Sequence, residues 1–240
     1  MEKNYFIKYT EKEKQYYHIY FNDEKEEKNR NYFTKDENVI KIKIIIDEQI
    51  TSFPALFYEC YCIKKINFIK FNRKDINDMS GMFYLCSSLK ELNLNNFITN
   101  NVTDMSNMFW GCSSLKELNL NNFNTNNVIN MCLMFSNCSL LKELNLNNFN
   151  TNNVINMCLM FSNCSLLKEF NLNNFNTNNV INMSCMFSRC SSLKKLNLNN
   201  FNIDKVIYIA HMFSECSDEL KNNIRNLNLN IKEEAFENFF

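Results

Sequence analysis

FITNNVTDMSNMFWGCSSLKELNLNN, residues Phe97 to Asn122, is one copy of a pattern that runs through most of the chain. To either side of it, Cys60, Cys86, Cys112, Cys138, Cys164, Cys190 and Cys216 are spaced by 26 residues without exception. Phe57, Phe83, Phe109, Phe135, Phe161, Phe187 and Phe213 keep the same interval, as do Phe71, Phe97, Phe123, Phe149, Phe175 and Phe201. Strong copies run from Phe71 to Asn200, with a degenerate copy over about 45–70 and a degraded one from Phe201. A fixed period of this size marks a solenoid or a related array.

Two shorter periods lie inside each unit. Met105, Met108, Phe109 and Cys112 stand at i, i+3, i+4 and i+7, which predicts a short helix with Thr103 and Asp104 at its cap. Ser113 and Ser114 suit a turn, and Leu118 and Leu120 alternate with Asn119 in the rhythm of a strand. Phe123 and Val128 add apolar posts around the next loop. One unit alone buries too little apolar surface to offset the ordering of its own backbone, at about 1–2 kcal/mol per residue. Stacking supplies the missing interface. The expected fold class is therefore α/β: a solenoid with a parallel sheet on one side and short helices on the other.

The ends break the rhythm. Tyr5, Ile7, Tyr9 and then Tyr17, Ile19, Phe21 alternate like strands, with a charged connector from Asn22 to Asn31. Residues 1–44 are read as a small N-terminal β cap, 45–226 as the solenoid of about seven repeats, and 227–240 as a C-terminal cap. Leu227 and Leu229 fall later than the repeat requires. Phe236, Phe239 and Phe240 are expected to fold back over the last coil, protecting its edge.

Composition narrows the function. The 240 residues carry 26 basic and 26 acidic side chains, so no net field draws the chain to nucleic acid or an anionic membrane. With 2 Gly and 1 Pro, turns must rely on Asn, Asp and Ser. The excess of Asn, Lys, Ile and Phe suggests an AT-rich coding genome. No apolar run reaches spanning length, the longest candidate, Ile40 to Ile46, being interrupted by Lys41 and Lys43. The N-terminus lacks a signal-peptide core, so a cytoplasmic location is expected.

The unit V-x-x-M-x-x-MF-x-x-C-S-S-L-K-x-L-x-L, matched by Val102, Met105, Met108, Phe109, Cys112, Ser113, Ser114, Leu115, Leu118 and Leu120, resembles the BspA-type leucine-rich repeat in its mycoplasma-like and protist variant. The resemblance covers about 45–226. It implies a right-handed leucine-rich-repeat solenoid with strands on the concave side and short convex helices. It also implies a surface-displayed binding or adhesin role. In place of the inward Asn of the commonest leucine-rich repeat, Phe123 and its equivalents predict a spine of Phe.

The chemistry-bearing residues point mostly to packing. The Cys ladder spreads its sulfurs along the axis and does not converge as zinc ligands must, and eleven cysteines cannot all pair. They are read as small buried residues. Cys132 and Cys158, where Ser106 and Ser184 stand in other copies, are read as a duplicated pair and not a site. Gly81 and Gly111 are read as repeat equivalents. Met105, Met108, Met131, Met134, Met157, Met160, Met183 and Met186 are assigned to the core. Trp110 is placed at a solvent-facing convex spot. His18 and His211 lack a credible catalytic set, and no glycine-rich phosphate loop is present. Asn101, Asn137, Asn163 and Asn182 begin glycosylation sequons.

The outward strand positions remain as the candidate partner-binding face: Glu91, Asn93, Asn95; Glu117, Asn119, Asn121; Glu143, Asn145, Asn147; Glu169, Asn171, Asn173; and Lys195, Asn197, Asn199. With Lys90, Lys116, Lys142, Lys168 and Lys194 they would tile a polar concave sheet able to bind peptide or glycan edges. A noncatalytic protein-protein interaction or scaffolding module follows, without cofactor or metal. The expected partners are proteins, with glycan as a second class, and not nucleic acid. The alternatives are a cell-surface adhesin and a metal- or thiol-dependent enzyme.

Overall fold

In the computed structural model, residues 2–71, 73–227 and 229–239 are described. The N-terminal region forms two antiparallel pairs. β1 (Lys3–Tyr5) pairs with β3 (Tyr32–Thr34), and β2 (Tyr17–Phe21) pairs with β4 (Ile42–Ile46). Tyr17, Ile19 and Phe21 alternate inward as expected, while the first strand stops at Tyr5 and leaves Ile7 and Tyr9 outside it. The Lys8 N–H donates to the Leu56 carbonyl at 2.7 Å and ties this region to the first coil.

The coils stack with like residues in columns. The Phe57 column runs to Phe213 in parallel rings, with centroids 5.5 Å apart from Phe57 to Phe83 and 5.7 Å apart from Phe187 to Phe213. Phe71, Phe97, Phe123, Phe149, Phe175 and Phe201 form the expected buried spine. Every Met assigned to the core is buried.

The predicted helices are absent from the repeats among the described residues. The Met105 to Cys112 stretch is a chain of turns. The N–H groups of Met105, Asn107, Phe109 and Gly111 donate to the carbonyls of Asn130, Cys132, Met134 and Ser136 in the next coil, at 2.8–3.0 Å. The N–H groups between them, on Met108, Trp110 and Cys112, donate three residues back. Left-handed residues at Asn107 and Gly111 recur one coil apart at Leu133 and Asn137, Leu159 and Asn163, Cys185 and Arg189, and His211 and Glu215. Two of them per coil cancel the helical winding yet keep Met105, Met108, Phe109 and Cys112 pointing inward.

The reason is spacing. At Cys132 and Cys158 adjacent coils lie 4.8 Å apart between Cα atoms, within the range of distances between neighbouring strands, and the same cross-coil backbone hydrogen bonds recur in the other coils. An α-helix is about 10 Å wide and does not stack at that pitch. Gly81 and Gly111 are also not one period apart. They occupy the two different left-handed positions, at φ +58° and +72°.

The sheet side is interrupted. β5 (Lys65–Asn67) pairs in parallel with β6 (Glu91–Asn93), and β7 (Glu169–Phe170) with β8 (Lys195–Leu196). The equivalent stretches around Glu117 and Glu143 are not strands. Charge accounts for the pattern. The two paired rungs face Lys65 to Glu91 and Glu169 to Lys195, and the Lys65 Nζ reaches the Glu91 carboxylate at 2.5 Å. Between them Glu91, Glu117, Glu143 and Glu169 would stack like on like, which disfavours a cross-strand pair. The more continuous parallel ladder lies on the turn side, from Asp78 through Asp104, Asn130, Asn156 and Asn182 to Tyr208. There the Asp104 Oδ1 accepts from the Ser106 N–H at 2.7 Å, capping a turn where a helix cap was expected.

At the C-terminal end, α1 (Asp218–Arg225) takes up the slip in the repeat. Ser217 caps it by accepting from the Leu220 N–H, and Leu220 and Ile224 are buried. Leu227 forms no strand. Residues 234–236 then replace the next coil: the His211 and Phe213 N–H groups donate to the Glu234 and Ala235 carbonyls, and Phe236 stacks on Phe213 at 5.4 Å. Phe239 stacks on His211, whereas Phe240 lies outside the described residues.

Candidate functional site

All fifteen candidate face residues are exposed, in rows that follow the coils. Five of them also hold the backbone. The Oδ1 atoms of Asn93, Asn119, Asn145, Asn171 and Asn197 each accept the N–H two residues on, at 2.8–3.1 Å. These are Asx turns, which a chain poor in glycine uses to leave the strand position. The Asn145 amide further donates to Asn121 and the Asn171 amide to Asn147. The Asn rows are therefore structural first, and the Glu and Lys columns are exposed side chains beside them. Among the described residues no ion pair engages Glu117, Glu143 or Glu169. A shallow depression of about 260 Å³ lies between Glu143, Asn145, Asn147, Glu169 and Asn171.

Thr99, Thr125, Thr151 and Thr177 form a buried polar column that the sequence reading missed. Each Oγ1 donates to a carbonyl of the next coil, as from Thr125 to Asn150 at 2.8 Å, and accepts the same residue's N–H. The signal was present as a Thr at a fixed place in each unit.

The Cys column is buried and hydrogen-bonded. Cys112 donates its thiol proton to the Phe83 carbonyl at 3.2 Å, and Cys138, Cys164 and Cys190 do the same one coil at a time. Burial pushes the Cys86 and Cys138 thiols up to about 12 and those of Cys112, Cys164 and Cys190 well above the usual range. A thiolate, the reactive form, is thereby suppressed. Cys132 and Cys158 depart from the sequence reading, being joined in a disulfide between adjacent coils. Their shared position one period apart was the visible signal.

His18 sits between Glu27, with Nδ1 at 3.0 Å, and Asp47, with Nε2 at 3.2 Å, and the Glu27 hydrogen bond raises its pKa above the ordinary value. His211 contacts the Glu237 carbonyl and the Phe239 ring. Trp110 is not simply solvent-facing. It is half-buried, stacked on Tyr84 at 4.5 Å, which stacks in turn on Tyr58 at 4.7 Å. Among the described residues no group of three His, Cys, Asp or Glu side chains is placed to hold a metal. No helix of the described residues is long and apolar enough to cross a membrane.

Comparison with known proteins bears on the family. No curated protein matches the chain. A crystal structure of a leucine-rich repeat protein from Bacteroides ovatus aligns over 63% of this chain and 35% of its own, at 20% identity and a TM-score of 0.33. The chain thus spans about a third of that protein's length. The family profile described as Mycoplasma protein of unknown function, DUF285, matches residues 51–166 and again 130–240. This agrees with the mycoplasma-type repeat that the 26-residue unit resembles. Those matches together span residues 51–240, and the chain belongs to the DUF285 family of Mycoplasma proteins.

Proposed function

We propose that the chain is a noncatalytic interaction module that binds a protein through the strand side of its coils. The supporting observation is the pair of charged columns there. Glu91, Glu117, Glu143 and Glu169 run beside Lys90, Lys116, Lys142 and Lys168, all exposed. Stacking like charges costs this side its continuous ladder, and a partner carrying the complementary charges would relieve that repulsion. In this reading the solenoid is right-handed, its strand side is concave, and residues 1–44 and 227–240 act as caps on either side of 45–226. Contact is spread over several coils, which suits a broad protein surface better than a small molecule, with a glycan as a second occupant of the same rows. The test is affinity capture with the full chain beside a Glu117→Lys/Glu169→Lys variant. A partner held by the first and lost from the second supports the reading. A partner held equally by both defeats it.

A cell-surface adhesin is the second reading, favoured by the Cys132–Cys158 disulfide, a bond typical of oxidising surroundings. Protease shaving of intact cells tests it, and a chain protected until lysis removes it.

A further inference from the structure

Two of the eleven cysteines are set apart by geometry. The column thiols from Cys60 to Cys216 are buried, and from Cys86 onward each donates to a carbonyl of the preceding coil. Cys62 and Cys185 are half-buried, each bonded to a carbonyl, of Tyr5 and Ala210, with no disulfide partner. Cys132 and Cys158 are half-buried too, but they alone stand one directly over the other, on the turn side.

We propose that Cys132 and Cys158 are the single thiol–disulfide exchange site of this chain, closed by low-molecular-weight disulfides and opened by low-molecular-weight thiols. Their Cα atoms are 4.8 Å apart, inside the range a disulfide spans. That distance also matches the general spacing of neighbouring strands, about 4.7–4.9 Å, so the bond forms at an ordinary spacing between coils. The Asn130 Oδ1 holds the Cys132 N–H and the Asn156 Oδ1 holds the Cys158 N–H, both at 3.1 Å. The Leu133 N–H bridges to the Cys158 carbonyl at 2.8 Å. None of these bonds involves sulfur, so the pair stays poised in either redox state.

Closure runs in two exchanges. One cysteine loses its proton, and its thiolate attacks the external disulfide, forming a mixed disulfide and releasing one external thiolate. The second cysteine loses its proton and attacks the mixed disulfide, forming the Cys132–Cys158 bond and releasing the other external thiolate. The chain gives up two electrons and two protons, and the external disulfide becomes two thiols. Opening is the reverse. The closed bond staples two coils that otherwise meet only through noncovalent contacts.

The experiment uses the full chain incubated with oxidised glutathione, alkylated in denaturant and digested for mass spectrometry. Nine alkylated cysteines and one linked pair, Cys132 with Cys158, are expected. Brief native treatment with reduced glutathione should then expose those two thiols alone. Reduction should lower the thermal midpoint by about 5–10 °C. The Cys132→Ser/Cys158→Ser variant should fold, since Ser80, Ser106 and Ser184 fill that position in other coils, and its midpoint should ignore the reductant. A pair that stays reduced, glutathione carried on Cys62 or Cys185 before the pair closes, or a wild-type midpoint indifferent to reductant would overturn the proposal.

Discussion

Replacing Gly111 with alanine separates a turn ladder from a helix by the sign of the effect. In a helix interior, alanine is favoured over glycine by about 1 kcal/mol. Here Gly111 sits at φ +72°, where a Cβ costs about 1–2 kcal/mol. An alanine Cβ would also lie 2.7 Å from the Leu85 Cδ2, so that the Leu85 side chain must turn aside. The reduced freedom of the unfolded chain returns about 0.4–1 kcal/mol. The balance is a destabilisation of about 1–2 kcal/mol. Gly81→Ala isolates the backbone contribution, because its Cβ would meet nothing nearer than the Tyr84 Cβ at 3.7 Å. That variant should lose about 1 kcal/mol or less. Gly111→Asn should be milder than Gly111→Ala, since asparagine tolerates this region and stands there at Asn137 and Asn163. Urea unfolding followed by Trp110 fluorescence reads the neighbouring residue directly. The midpoint should fall by about 0.5–1 M for Gly111→Ala. A midpoint that rises would refute the left-handed geometry and restore the helix.

Other outcomes follow from the same columns. Phe135→Ala removes a fully buried ring between Phe109 and Phe161 and should cost about 3–5 kcal/mol in urea unfolding. Thr125→Val keeps the shape but strips both hydrogen bonds to Asn150, and should cost about 1–3 kcal/mol in the same assay. Glu143→Lys would place opposite charge between Glu117 and Glu169, replacing two of the three like-charge contacts of the Glu column, and should stabilise by about 0.2–1 kcal/mol and strengthen the strand signal in circular dichroism. His18 has a folded pKa raised above its unfolded value, chiefly by Glu27, so its contribution is full below about pH 6.5 and is lost as pH rises through the folded value. Thermal midpoints from pH 5 to 8 should show this fall in the wild type and not in His18→Gln.

The 26-residue register, the inward set of each unit and the Phe spine were decided by the sequence alone. Hydrophobic spacing names which side chains face the core, and a duplicated unit must bury duplicated columns. The backbone between those side chains was not legible. Residues at i, i+3, i+4 and i+7 turn inward in a helix, and they also do so in a chain with a left-handed residue at every fourth place, as Asn107 and Gly111 show. Only the packed array fixes the coil pitch, and that pitch admits cross-coil hydrogen bonds where a helix would not fit. The exposed rows were legible as exposed, but not that Asn119 and its equivalents hold turns or that stacked Glu carboxylates interrupt the sheet. Those depend on which residue lies 4.8 Å away in the next coil, as does the bond between Cys132 and Cys158. A linear pattern records a period. The distance between successive copies is set by tertiary packing.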